Sequence, residues 1–270
     1  MTLILDETKS TTTLTCERHG EYATTTTTTT FQYARGAVER TTGCPVCDQE
    51  RVERNNREEA ERADRQRRER IAARRKKANI PQRFAGSTFE NYVASTAGQT
   101  RALSVARSFA DQFDTIRNTG SSLTFCGGPG CGKTHLACAI ANHLLDSDHA
   151  VIYTQAIELV RAIRDTWRPH STKSETEVIS AYRTTGLLIV DEIGVQFGSD
   201  AEKAQMFDVL DGRYREMRPT LIISNLNEKG LQECLGPRVF DRLMEIGSAV
   251  ATFNWTSYRR VPKSPLGAEV

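Results

Sequence analysis

Eight residues, Gly127-Gly128-Pro129-Gly130-Cys131-Gly132-Lys133-Thr134, limit the possible folds of this chain more than any other stretch. They fit the pattern Gly-x4-Gly-Lys-Thr, and they sit between a stretch at 121–126 that reads as a strand and a helix-forming stretch that opens near Lys133. A loop of this kind wraps its backbone round phosphate groups. Its glycines permit the close approach, its N–H groups point inward, and the helix start adds partial positive charge. Lys133 is placed to reach the β- and γ-phosphates and the Thr134 hydroxyl to ligate Mg2+, with the nucleotide-binding stretch running from Gly127 to His135. Cys131 stands at a variable position of the pattern.

Beyond Pro81 the chain alternates between helical and strand-like stretches, which is the pattern of a parallel sheet covered by helices, an α/β fold. The periodicity predicts a helix over 99–117, strands over 121–126 and 150–154, helices over 156–167 and 175–183, and an apolar strand over 187–190. A helix over 202–216, a strand over 220–224, short helices within 228–245 and a closing strand over 249–255 complete it. Asp191 and Glu192 follow the apolar run Leu187-Leu188-Ile189-Val190, at the strand end where an open α/β sheet binds its ligands. Asp191 is expected to hold Mg2+ through its water shell and Glu192 to polarise the attacking water. Asn225, after the strand at 220–224, is expected to bond the γ-phosphate or that water. Arg238 and Arg242 lie four apart on one helical face; an arginine donated across a subunit interface stabilises transition-state charge, while surface pairing with Asp241 or Glu245 is the plainer reading.

The first forty-nine residues differ in kind. They are rich in threonine, with an unbroken run at 24–30, and offer almost no aliphatic residues for a core, so an external staple is needed. Cys16-x2-His19 and Cys44-Pro45-Val46-Cys47, separated by 24 residues, form a Cys3His set suited to tetrahedral zinc in a structural role. The threonine run lies inside that loop and is either β-prone or a flexible excursion. Seven cysteines with no export signal in 1–15 point to metal ligands or reduced thiols rather than disulfides, hence to the cytoplasm. No apolar run is long enough to span a bilayer, so no membrane partner is expected. The net charge of +2 conceals one basic stretch: residues 50–78 carry twelve basic and seven acidic groups, with Glu and Arg often three or four apart and no continuous apolar stripe. This reads as a polar helix, either a solvated spacer or a partner surface, ended by Asn79-Ile80-Pro81. The resulting division is a zinc-binding module at 1–49, a charged helical linker at 50–78 and a nucleotide-binding domain at 79–270.

The stretches Asn79-Ile80-Pro81-Gln82-Arg83-Phe84 and Thr88-Phe89-Glu90-Asn91-Tyr92 accompany the phosphate loop, Asp191-Glu192 and Ser224-Asn225. With Gly236-Pro237-Arg238, Asp241-Arg242-Leu243 and Phe253-Asn254-Trp255-Thr256-Ser257-Tyr258-Arg259, they make residues 79–260 resemble bacterial and phage helicase loaders of the DnaC type. That resemblance implies an AAA+ P-loop fold, ATP hydrolysis, self-assembly and delivery of a hexameric replicative helicase of the DnaB type onto single-stranded DNA at an origin. It makes Asn225 the sensor-1 residue, Arg242 the trans-acting finger with Arg238 the second choice, and the cysteine-bearing module, similar to that of phage-type members, the helicase grip. Two features depart from the family pattern: the threonine-rich loop, and the few residues after the closing strand, which leave little room for a helical lid and make nucleotide closure rely on neighbours. Arg161, Arg164, Trp167 and Arg168 combine charge with a stacking face for a single strand, while Ile157, Val160 and Ile163 make the same helix half buried. The alternatives are an IstB-like ATPase that assists a transposase and a zinc-containing DNA-binding adaptor with a nucleotide switch. The metal module and the closing Trp-x-Ser-Tyr-Arg favour the loader over the first; intact Lys133, Asp191, Glu192 and Asn225 speak against the second.

Overall fold

The computed structural model describes residues 4–31, 37–194, 200–245 and 247–258. They divide into two compact units, Met1–Arg68 and Glu69–Val270, and the division falls within one long helix.

In the first unit three antiparallel strands, β1 (Ile4–Cys16), β2 (Gly20–Phe31) and β3 (Ala37–Thr41), pair in that order. The threonine run, for which the sequence allows either a strand or a flexible excursion, forms most of the central strand. Its β-branched side chains suit a pleated surface, and threonines face threonines across the register at Thr11–Thr25, Thr12–Thr24 and Thr26–Thr41. All five residues of β3 are exposed, and Thr24 is buried among the described side chains of β2. Helix α1 (Pro45–Lys77) has no buried residue. It starts five residues earlier than the charge pattern indicated, because Pro45 has its φ set for a first helical turn and Asp48 favours the positive helix end. Cys47 therefore sits on a helix. Asn79, in the left-handed region at φ 56°, turns the chain out of α1, where the sequence placed the stop.

The second unit continues with α2 (Ala97–Asp111), α3 (Phe113–Thr119), β4 (Leu123–Gly127), α4 (Lys133–Asp146), β5 (Val151–Gln155), α5 (Ala156–Asp165) and α6 (Glu175–Thr184). There follow β6 (Leu187–Ile193), α7 (Asp200–Arg215), β7 (Thr220–Ser224), α8 (Glu228–Leu235), α9 (Pro237–Leu243) and β8 (Ala249–Phe253). The single helix expected over 99–117 is two, broken at Gln112, whose φ of −97° and ψ of 13° leave the helical range; the break lets Phe113 turn into the core at 1% exposure. The other expected elements appear within a few residues of their expected limits.

The five strands of this unit are parallel in the order β5-β6-β7-β4-β8. Both faces are covered. Leu123, Phe125, Val151, Tyr153, Leu187 and Ile189 meet the α2, α3 and α4 side, and Leu188, Val190 and Ile222 meet the side formed by α5, α7, α8 and α9. Alternation along β6 puts Asp191 on the same face as Leu187 and Ile189, toward α4. Below the opposite end of the sheet, Arg213 of α7 is wholly buried and donates to Tyr182 O, Arg183 O, Thr185 O, Gly186 O, Pro219 O and Thr220 Oγ1. Burial pulls its guanidinium below the usual arginine range. It ties together the segments that feed β6 and β7.

Candidate functional site

The strand order puts β7 between β4 and β6, so the ends of three strands converge on one crevice. The Lys133 ammonium, 5% exposed, donates to Gly127 O and Gly128 O at 2.6 Å each and to Asn225 Oδ1 at 3.0 Å. Thr134 Oγ1 donates to Asp191 Oδ2 at 2.9 Å. Lys133, Thr134, Asp191 and Asn225 are thus brought together. Gly127 has φ 137°, and a Cβ there would lie 2.1 Å from Phe253 O, so only glycine fits where β4 enters the loop.

Glu192 owes its position to a bulge. The register of β6 against β7 slips between Val190 and Ile193, and Glu192 takes φ 60°, a conformation that costs a non-glycine residue about 1–2 kcal/mol. The consequence is an exposed carboxylate beside a buried one, Asp191 being 5% exposed. Ser224 holds the bulge in place: its buried Oγ donates to Ile193 O at 2.6 Å and accepts from Leu226 N at 3.1 Å.

Two tyrosines to which the sequence assigns no site role also border the site. Tyr153 of β5 donates its hydroxyl to Asp191 Oδ2 at 2.7 Å, and burial, with Asp191 alongside, pushes the phenol well above its usual range, so it stays a donor. Tyr92 packs against the rings of His135 and Tyr258 at centroid distances of 5.6 and 6.0 Å. The chain after β8 straps the phosphate loop: Trp255 Nε1 donates to Cys131 O at 3.0 Å, Cys131 Sγ to Trp255 O at 2.9 Å, and Tyr258 N to Gly130 O at 3.0 Å. Cys131 is therefore a buried contact of the loop with this strap. Arg259 of the same motif lies outside the described residues.

Arg238 and Arg242 stand on α9. Arg242 is half-buried, ion-paired with Asp211 and placed over the Tyr214 ring at 4.7 Å; Arg238 is exposed, over Phe207 at 5.4 Å. On α5, Leu159, Val160 and Ile163 are buried, while Arg161 is exposed and Arg164 pairs with Glu202 at 2.9 Å; just past the helix, Arg168 pairs with Asp165 at 3.0 Å. Trp167, 58% exposed, donates to Glu175 at 2.7 Å.

In the first unit the ligand atoms of Cys16, His19, Cys44 and Cys47 lie within 4.8 Å of one another. Cys16 Sγ is 3.6 Å from Cys47 Sγ, and His19 Nδ1 is 3.7, 3.6 and 3.3 Å from the sulfurs of Cys16, Cys44 and Cys47. A zinc tetrahedron with bonds of about 2.3 Å to sulfur and 2.0–2.1 Å to nitrogen has edges of about 3.6–3.8 Å, so the four residues fit that ion. The backbone N–H groups of Arg18 and His19 draw the Cys16 thiol down to about 6, toward the thiolate a metal requires, while its hydrogen bond with Cys16 pushes Cys47 up to about 11. His19 Nε2 faces Glu50 Oε1 at 3.4 Å, an outer partner that orients the ring. Cys126, Cys131, Cys138 and Cys234 lie apart from this cluster and form no disulfide, and burial pushes Cys126 up to about 11 and Cys138 to about 12, which favours the thiol over the thiolate in those two.

Residues 36–264 match the family model described as IstB-like ATP binding protein. The chain is 39% identical over 172 residues to the replicative helicase loader DnaC of Escherichia coli (strain K12), which covers 64% of this chain and 69% of that protein. It is 33% identical over 184 residues to DnaC of Buchnera aphidicola subsp. Baizongia pistaciae, covering 68% and 74%. Among solved structures, that of the DnaC helicase loader superposes with a TM-score of 0.58 at 22% identity over 64% of this chain and 99% of that one. DnaI superposes with a TM-score of 0.56 at 20% identity over 66% and 94%. At these identities the structural matches speak for the fold.

Proposed function

The chain belongs to the IstB-like ATP binding proteins, among the replicative helicase loaders of the DnaC type, and from that premise we propose that it hydrolyses ATP to deliver a hexameric DnaB-type helicase onto single-stranded DNA at a replication origin. The observation that carries this is the convergence of Lys133, Thr134, Asp191, Glu192 and Asn225 on one sheet edge. In this reading the loop amides and Lys133 bind the triphosphate, and Asn225 orients its terminal group. Glu192 takes the proton of the water that attacks the γ-phosphorus as the bond to the ADP oxygen breaks. Thr134 and Asp191 fit a magnesium ion, which when bound neutralises charge on the β- and γ-oxygens. Arg242, its guanidinium set by Asp211 and Tyr214, is offered to the site of the next subunit in an ATP-dependent assembly, with Arg238 the second candidate. Cys16, His19, Cys44 and Cys47 hold a structural zinc, and the module they staple, with α1, grips the helicase. Arg161 and Trp167 supply exposed charge and a stacking face for the single strand.

Among the described residues no helix is long and apolar enough to cross a membrane, and the proposed work is cytoplasmic. The test is ATP turnover by the purified protein with and without single-stranded DNA, together with co-purification of a hexameric helicase. Stimulated turnover and a retained helicase are expected; negligible, DNA-independent hydrolysis would return the zinc-containing adaptor. A second reading is an IstB-like ATPase that assists a transposase: the matching family model is described as IstB-like ATP binding protein, and the same ATPase core would serve that task. Capture of a transposase in place of the helicase would select it.

A further inference from the structure

Asp191 is held from three directions. Its Oδ2 accepts from Thr134 Oγ1 at 2.9 Å and from Tyr153 OH at 2.7 Å, and its Oδ1 accepts from Glu192 N at 2.7 Å. The second of these donors is on a different strand. In the parallel register Tyr153 lies opposite Ile189 and Gln155 opposite Asp191, so Tyr153 is the diagonal neighbour of Asp191 on the face that meets α4, and a phenol is long enough to span that diagonal. Tyr153 is itself fixed. Its side chain is 3% exposed, its N–H donates to Ala78 O at 2.7 Å, and Asn79 Nδ2 approaches its carbonyl at 3.4 Å.

The donors differ in what nucleotide asks of them. Thr134 belongs to the phosphate loop, and its oxygen is the one expected to turn a lone pair to the cation, so its hold on Asp191 changes with the ligand. Tyr153 has no such second duty. We propose that Tyr153 is a positioning residue for the ATPase reaction: its buried hydroxyl keeps the Asp191 carboxylate aimed at the magnesium site whatever Thr134 is doing. This rests on the reading of Asp191 as the magnesium-facing carboxylate.

The experiment uses the full chain, Mn2+ as the spectroscopic probe and a non-hydrolysable ATP analogue, with bound Mn2+ read by electron paramagnetic resonance. Tyr153→Phe should weaken Mn2+ binding about tenfold, the loss expected on removing an outer partner of a metal ligand, while analogue affinity in EDTA stays at the wild-type value. Asp191→Asn should weaken Mn2+ at least as much, and adding Tyr153→Phe to it should change nothing more, since both act through one carboxylate. Wild-type Mn2+ affinity in Tyr153→Phe alongside a loss in Asp191→Asn overturns the role of Tyr153 alone. Wild-type affinity in both variants overturns the magnesium reading of Asp191 and the proposal with it. Should Tyr153→Phe fail to fold, 3-fluorotyrosine keeps the hydroxyl. The 19F resonance from position 153 should then move when Mg2+ joins the analogue in wild-type protein but not in Asp191→Asn; equal shifts in both would reject the coupling.

Discussion

The antiparallel sheet β1-β2-β3 and the parallel sheet β5-β6-β7-β4-β8 draw their stability from different sources. In the parallel sheet Leu123, Phe125, Leu187, Ile189, Leu221 and Ile222 are each 0% exposed, and burying one such side chain contributes about 1.5–3 kcal/mol. The antiparallel sheet sets threonine against threonine, exposes β3 and most of β1, and leaves much of β2 half-buried with almost no aliphatic side chain in it, so hydrophobic burial contributes little. At its base the ligand atoms of Cys16, His19, Cys44 and Cys47 lie within 4.8 Å of one another, the set proposed above to hold a structural zinc. The contrast teaches that strand pairing alone does not say what stabilises a sheet. One unit should stand or fall with a metal and the other with its interior.

The most severe test of that contrast is metal removal. Chelation, or Cys44→Ser, should unfold the first unit, because for a small zinc module binding free energy, on the order of 10 kcal/mol, is folding free energy. Circular dichroism should lose antiparallel strand signal while ATP-analogue binding persists. A folded first unit in metal-free protein would break the contrast.

Next in size is Arg213→Met. It strips six acceptors, five of them carbonyls, of a donor in a dry site, and should cost the second unit about 5 kcal/mol or more, lowering its melting temperature by about 10–20 °C. Metal content should be unchanged, which keeps the two units separable. Smaller in energy but decisive for mechanism is Glu192→Gln, which should retain ATP binding and lower turnover about 10²- to 10⁴-fold, as read by steady-state hydrolysis. Unchanged turnover would remove Glu192 from the reaction.

Which of these residues the sequence exposes follows from the range of the interactions involved. Lys133, Thr134, Asp191 and Asn225 are readable because each follows a strand in a local pattern, and the cysteine pairs because metal ligands come in short spacings. Tyr153 is not, since pairing it with Asp191 requires knowing that β5 and β6 are neighbours, and no local periodicity encodes strand order. Arg213 looks like a surface charge beside Arg215 and Arg218 until the turns before β6 and β7 close over it. Glu50 is one carboxylate in a charged run, and only the fold sets it against His19. The break at Gln112 is hidden for the same reason: residues 99–117 are good helix formers, and burial of Phe113 overrides propensity.

The smallest expected effect sharpens the comparison most finely. Thr11 and Thr25 face each other across β1 and β2, the first exposed and the second half-buried. Replacing both with valine keeps the β-branched shape and strand preference but deletes two hydroxyls that water also serves, so stability of the metal-loaded unit should change by less than about 0.5 kcal/mol. Ile189→Ala in the parallel sheet, also a loss of side-chain atoms from one strand, should cost about 2–5 kcal/mol because the vacated volume is enclosed. Urea unfolding of the two variants, each normalised to its own unit's transition, measures the ratio. A threonine pair as costly as Ile189 would mean that the polar sheet carries packing of its own, and the metal would then be an addition to a sheet already stable without it.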